Sequence, residues 1–409
     1  MTAMLRRHLS LLPSLVLVLV IGPYLYCHCF TQTHPRTPIR RPAIRRRANM
    51  GVRHAQPPEA AHQPPSAHER DHSLYPAYSL VGIKNDYWHW RPEIGGEMRE
   101  LPIRYQFLQC ESEGQREGVP SIICVHGFGG NCDHWRRNVR DLAKNANVYT
   151  IDLLGYGYSA KPNPRELPPN TIYNFHVWAE QLRDFTQEVV NNKQRGSRSP
   201  TYLVCNSVGG VAGLQQAVSY PHTVDGVLLL DISLRLLNER KQSPLQRPFV
   251  RGLQWVLRET QVGQFFFSRI AQKETVRNVL KQAYFDDTQV TDELVDAILT
   301  PGLLPGAAEV FLDFISYSSG PLPEDLLPQT NVPVWIAWGE NDPWEPIDMG
   351  RDYEQFECVE EFIVLGSTGH CPMDESPSEV NALIERFIQR MSARRKENER
   401  ERGVAVADA

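Results

Sequence analysis

From residue 103 to residue 391 the chain alternates two hydrophobic periods. Strand-like runs of four to six residues, most of them dominated by apolar side chains, lie at Ile103–Leu108, Ser121–Val125, Val148–Asp152, Tyr202–Cys205, Val227–Leu230, Val332–Ala337 and Glu361–Leu365. Short runs of this kind read as strands buried on both faces. Between them the spacing lengthens to that of helices, as in Trp178, Leu182, Phe185 and Val189, or Val380, Leu383, Ile384, Phe387 and Met391. Strands alternating with helices predict a mostly parallel sheet covered on both faces. One interval departs from the rule. Residues 233–330 carry helical pattern without a convincing strand, and are dense in Trp255, Phe265, Phe266, Phe267, Phe311 and Phe314. A helical insertion above the carboxyl edge of such a sheet is a cap, and an apolar cap predicts an apolar substrate. Any one of these aromatics is equally well explained as cement within the cap.

Charge separates the ends from the body. Residues 1–58 hold nine arginines and no lysine, aspartate or glutamate. Removing those nine from the 43 basic residues leaves 34 against 48 acidic ones, so the body is too acidic to grip nucleic acid non-specifically. The leader begins with two arginines, then an apolar stretch, Leu9–Ile21, broken by Gly22-Pro23. That is the form of a signal peptide. The rival is a signal anchor, since Leu9–Phe30 is 22 residues without a formal charge. Thr31–Arg53 follows, Arg-rich and acid-free as transit peptides are. Signal-like residues 1–30 and transit-like residues 31–53 together resemble the bipartite plastid presequences of algae with secondary plastids, which implies a plastid address. A secretory or signal-anchored protein is the alternative. Residues 54–79 read as a disordered Pro/Ala/His linker, 80–232 and 331–392 as the core, 233–330 as the cap, and 393–409 as a frayed tail. The six cysteines beyond the leader show no zinc spacing, so reduced core thiols are expected.

The chemistry centres on "TYLVCNSVGG", residues 201–210. A serine on the sharp turn between a buried strand and a helix is where a nucleophile elbow places its hydroxyl. The pattern G-x-S-x-G is met at Gly209 but not at Cys205, and alone it leaves an ordinary turn serine as the simpler reading of Ser207. Three further segments alter the balance. "VHGFGGNCDHW" follows the Ser121–Val125 strand, and would offer the N–H of Phe128 beside that of Val208 as an oxyanion hole. His126 in that segment orders the loop by hydrogen bonding. "WIAWGENDPWEP" places Asp342 after a strand, and "FIVLGSTGHCPMDESP" does the same for His370. Serine, aspartate, histidine in that order is the order of this kind of triad. His370 takes the proton of Ser207 and returns it to the leaving group, while Asp342 holds the imidazole. Asp231 is the runner-up acid, with a structural role the simpler reading. Trp135 and His134 are further candidates for lining the site.

With "YWHWR", "HGFGGNCDHWR", "DLLGYGYSAKP", "CNSVGG", "QVTDELVDAILTPG", "FISYSSGPLPEDLLPQ", "GENDPWEP" and "GHCPMDESP", residues 80–392 resemble the α/β-hydrolases of plant and algal plastids related to pheophytinase and chlorophyll dephytylase. The resemblance implies an α/β-hydrolase fold with a helical cap inserted between strands 6 and 7. It also implies a serine carboxylester hydrolase acting on a phytyl or other long-chain ester of a pigment or lipid. No metal or organic cofactor is implied. The expected partners are a small apolar ester and, transiently, a membrane. The alternatives are a ligand-binding protein on the same scaffold, or a thioester or C–C hydrolase using the same residues.

Overall fold

The computed structural model describes residues 75–112, 118–193 and 198–407. The presequence expected over residues 1–53, and the linker as far as residue 74, lie outside the described residues. Eight strands build one sheet: β1 (Asn85–Trp90), β2 (Leu101–Leu108), β3 (Ser121–Val125), β4 (Asn147–Ile151), β5 (Thr201–Asn206), β6 (Gly226–Leu230), β7 (Val334–Gly339) and β8 (Val359–Leu365). Their spatial order is β1-β2-β4-β3-β5-β6-β7-β8. The pairs β1–β2 and β2–β4 are antiparallel, and every pair from β4 to β8 is parallel.

The central strands are buried throughout, as their largely apolar runs require. Alternate residues of β5 feed two separate cores. Leu203 and Cys205 pack with helices α1 (Phe175–Phe185) and α2 (Val208–Ser219), while Tyr202 and Val204 pack under the last helix, α8 (Pro377–Ala407). Helix α1 starts where Asn174 accepts hydrogen bonds from the N–H groups of His176 and Val177. It then buries Trp178, Leu182 and Phe185 at helical spacing. Between β6 and β7 stand the five cap helices α3 (Arg247–Glu259), α4 (Gln261–Ile270), α5 (Lys273–Ala283), α6 (Asp292–Gly302) and α7 (Ala307–Ile315). Leu257, Phe266, Leu312 and Ile315 give the cap a small core of its own. The six described cysteines are free thiols.

Three boundaries differ from the sequence expectation. Strand β1 was not among the apolar runs, because "NDYWHW" mixes aromatic with polar residues at the sheet edge. Its place is set from afar: the Trp88 and Trp90 indoles donate to Glu188 and Asp184, each at 2.9 Å. The ordered chain starts before residue 80. Pro76 and Ala77 carbonyls accept from Asn85, and Tyr75 packs edge-on against Tyr87 and Tyr158. At the other end, α8 continues to Ala407 rather than fraying after residue 392. The tail is rich in Ala, Arg, Lys and Glu, which propagate a helix once it has begun.

Candidate active site

The site collects at the carboxyl ends of the parallel strands. Strand β5 ends at Asn206 and α2 begins at Val208, so Ser207 alone turns the chain, with φ 54° and ψ −123°. Side-chain-bearing residues avoid that region, and its strain persists only where the surroundings hold it. Here the Ser207 N–H donates to Leu230 O at 3.0 Å, and the Ser207 carbonyl accepts from Gly210 and Ser233 at 2.9 and 3.2 Å. The turn also needs close packing. A Cβ on Gly209 would stand 2.4 Å from the His126 carbonyl oxygen.

Cys205, where the elbow pattern has glycine, is accommodated from the opposite side. A Cβ on Gly213 would lie 2.7 Å from Cys205 Sγ, so the bare backbone of α2 provides the room for the thiol. The departure from the pattern at one position is matched by a glycine eight residues on.

Two loops reach the serine from beyond β7 and β8. His370 Nε2 lies 3.0 Å from Ser207 Oγ, and His370 Nδ1 lies 2.7 Å from Asp342 Oδ2. The other Asp342 oxygen accepts from the Trp344 and Glu345 N–H groups at 2.8 and 3.0 Å, which fixes the carboxylate's direction. With Nδ1–H donating to a carboxylate, Nε2 keeps its lone pair toward the hydroxyl, the tautomer a general base requires. Burial acts to lower the His370 pKa and the Asp342 carboxylate to raise it. The balance lies above the ordinary histidine value.

Residues 122–383 match the model of the Alpha/beta hydrolase family. The chain belongs to that family. It is 24% identical to "Pheophytinase, chloroplastic" of Arabidopsis thaliana over 344 residues, 76% of this chain and 67% of that protein. It is also 24% identical to "Monoacylglycerol lipase ABHD6" of Mus musculus over 312 residues, 75% of this chain and 86% of that protein. A thermophilic esterase from Thermogutta terrifontis shares the fold with a TM-score of 0.52 at 19% identity, over 74% of this chain and 99% of that one.

In this alpha/beta hydrolase the loop of residues 126–130 lies against the elbow. A Cβ on Gly127 would come within 2.9 Å of both Asn206 Oδ1 and Ser207 Cβ. His126 orders the loop: its Nε2 accepts from the Leu153 N–H at 3.0 Å, which leaves Nδ1–H to donate to the Gly127 carbonyl at 2.7 Å. Among the described residues the N–H groups of Phe128 and Val208 have no backbone acceptor outside the helix. The first of them sits in this loop and the second at the positive end of α2. The Phe128 ring leaves the loop for the cap, stacking on Phe314 with centroids 5.2 Å apart.

Asp231 is fully buried, and the ring nitrogens of His370 meet Asp342 and Ser207 rather than this carboxyl. Its Oδ1 accepts from the Gly339 N–H at 2.8 Å, tying the end of β6 to that of β7. Burial first, and then the Asp342 charge, push its carboxyl well above the usual range.

Two carboxyls of the site were not anticipated. Glu375 accepts from the N–H groups of Phe285, Gly369 and Cys371 at 2.7, 3.0 and 3.0 Å, clamping the His370 loop to the cap segment that follows α5. Its position in "GHCPMDE", five residues after the histidine, is the one local signal. Glu345 accepts from Ser233 Oγ at 2.9 Å and from the Leu234 N–H at 3.0 Å, and its burial raises the pKa to about 7.

Ser207 opens into a cavity of about 400 Å³ under the cap, walled chiefly by apolar side chains including Phe266, Phe267, Ile298, Phe311 and Phe314. Of the cap aromatics singled out from the sequence, Trp255 and Phe265 point outward instead. No group of three or more metal-binding side chains occurs among the described residues.

Proposed function

We propose that the protein is a serine hydrolase that cleaves a carboxylic ester of a long, apolar substrate. The observation that carries this reading is the Asp342–His370–Ser207 relay at the mouth of a cavity lined chiefly by hydrocarbon. The cavity receives the chain of the ester and leaves its carbonyl carbon against Ser207 Oγ. As Oγ attacks, His370 Nε2 takes its proton, and Asp342 stabilises the imidazolium that forms. The carbonyl oxygen becomes an alkoxide facing the N–H groups of Phe128 and Val208. Each such donor is worth roughly 10²–10³ in rate. His370 then protonates the departing alcohol, and a water molecule, activated by the same imidazole, releases the acid.

The finer reading is a phytyl or other long-chain ester of a chlorophyll-type pigment or lipid, hydrolysed in the plastid. Supporting it are the motifs shared with the pheophytinase group, the matching pheophytinase of Arabidopsis thaliana, and the Arg-rich, acid-free leader. A substrate dissolved in membranes would bring transient membrane contact at the cap. The test is hydrolysis of p-nitrophenyl esters of rising chain length, with pheophytin and chlorophyll in detergent, by wild type and Ser207→Ala. Rising kcat/KM with chain length, lost in Ser207→Ala, supports an apolar-ester hydrolase, and phytol release adds the pigment assignment. Equal inertness of both proteins on the whole panel would turn the reading toward a binding protein.

A further inference from the structure

The cavity over Ser207 shares part of its wall with a second hollow in the cap. Phe267 and Ala271, at the end of α4, and Gly302, the last residue of α6, line the cavity and also border a groove of about 460 Å³. Phe128 of the oxyanion loop reaches Phe267 through Phe311, with successive ring centroids 5.4 Å apart, so the shared wall lies two ring contacts from the elbow. The groove runs along Leu303, Leu304 and Pro305, where the chain bends by 94° between α6 and α7. Leu303 at its rim is 60% exposed. The polar side chains beside it are engaged within the cap: Ser268 Oγ donates to the Phe265 carbonyl at 2.7 Å, and Glu309 accepts from Gln264 at 2.8 Å. The surface left to a ligand is chiefly hydrocarbon.

Gly302 is the narrowest part of that wall, and neither usual reason for a glycine accounts for it. A glycine at a helix end commonly supplies a left-handed φ, and Gly302 does not have one. A glycine also permits close approach, yet among the described residues no atom lies within 4 Å of where its Cβ would stand. Gly306, four residues on, shows both reasons at once: its φ is 85°, and a Cβ there would lie 2.5 Å from the Lys161 carbonyl oxygen. At Gly302 the missing side chain leaves open space between cavity and groove.

We infer that the cavity continues past Gly302 into the groove, and that the aliphatic chain of the ester follows this passage. Gly302 and Ala271 are then specificity-determining residues, whose small size admits a chain longer than the cavity alone can hold. The inference rests on the ester-hydrolase reading for the nature of the ligand, and adds where its chain ends. Each methylene buried in such a passage tightens binding about fourfold, so selectivity for long chains resides at this wall.

The experiment measures binding without turnover. Ser207→Ala protein is titrated with methyl octanoate and methyl palmitate in the same detergent, and the ratio of the two affinities is the readout. Gly302→Leu and Ala271→Leu, each added separately, plug the passage from its two sides. Two or more methylenes turned back into water lower the palmitate-to-octanoate ratio by at least about tenfold. Gly252→Leu is the control. Its Cβ also meets nothing within 4 Å, but it lies in α3 and borders neither hollow, so the ratio stays where it was. A fall in the ratio in either passage variant, with the control unmoved, supports the inference. An unchanged ratio or joint loss of both esters in both passage variants, or the same fall in the control, would overturn it. Hydrolysis of methyl octanoate by the wild type is measured separately. A chain-selective effect without hydrolysis would sink the hydrolase reading alone, and hydrolysis with the ratio unmoved would sink only the passage at Gly302.

Discussion

The fit between Cys205 and Gly213 can be tested by a change of sign. A Cβ at residue 213 would lie 2.7 Å from Cys205 Sγ but 3.8 Å from Cys205 Cβ, where ordinary contact begins at 3.4 Å. In the wild type, Gly213→Ala gains about 1 kcal/mol from helix propensity. Against this stands overpacking of about 1–3 kcal/mol, because the sulfur is 0.7 Å too close and sits in a strand buried throughout. The net effect is destabilisation of up to about 2 kcal/mol. In a Cys205→Ala background the offending atom is gone, and only the end of Leu203 at 3.3 Å must give slightly. There Gly213→Ala keeps its helical gain and stabilises the protein by about 1 kcal/mol. Urea denaturation of the four proteins reads both effects, and their difference is the coupling energy of the pair. If Gly213→Ala changed stability by the same amount and sign in both backgrounds, the compensation argument would be wrong.

Other expectations follow from the same geometry. The acid limb of kcat/KM reports protonation of His370, whose pKa is raised, so activity falls as pH drops through a value above the ordinary 6.5. Asp342→Asn moves that limb to lower pH and cuts kcat. A pH–rate profile with the limb unmoved would remove Asp342 from its role. Glu345 binds its proton more tightly in the folded protein, pKa about 7, than in the unfolded chain. Stability therefore falls as pH rises from about 4.5 to 7 through this group, and Glu345→Gln flattens that slope in denaturation curves measured across the range. Gly127→Ala pushes the oxyanion loop off Asn206 and Ser207 and is expected to lower kcat by about 10²-fold. An unchanged kcat would show that the loop does not set the oxyanion donors.

What could be read in advance divides by the range of the forces involved. The central parallel strands announced themselves because a strand buried on both faces is dominated by apolar residues, as in "IICV" and "LVC". The residues of the relay were legible because each follows a strand in a distinct turn sequence. Features set by distant partners were not. Strand β1 depends on indole bonds to Glu188 and Asp184, about a hundred residues away, so its local pattern stays ambiguous. The room for Cys205 comes from Gly213, on the helix across the elbow. The contact of His134 Nε2 with the Tyr284 hydroxyl spans 150 residues, which no spacing rule reaches. Trp255, counted among the cap's apolar mass, faces solvent, because helical spacing tells which residues share a face but not which face turns inward.

The central claim is that Ser207, and no other serine, is the activated nucleophile. Its most direct measurement is labelling of the purified protein with a fluorophosphonate, followed by peptide mass spectrometry. The account predicts one phosphonyl adduct, on Ser207, absent from Ser207→Ala and much slowed in His370→Ala. Labelling of a different serine, or adduct formation at an unchanged rate without His370, would contradict it.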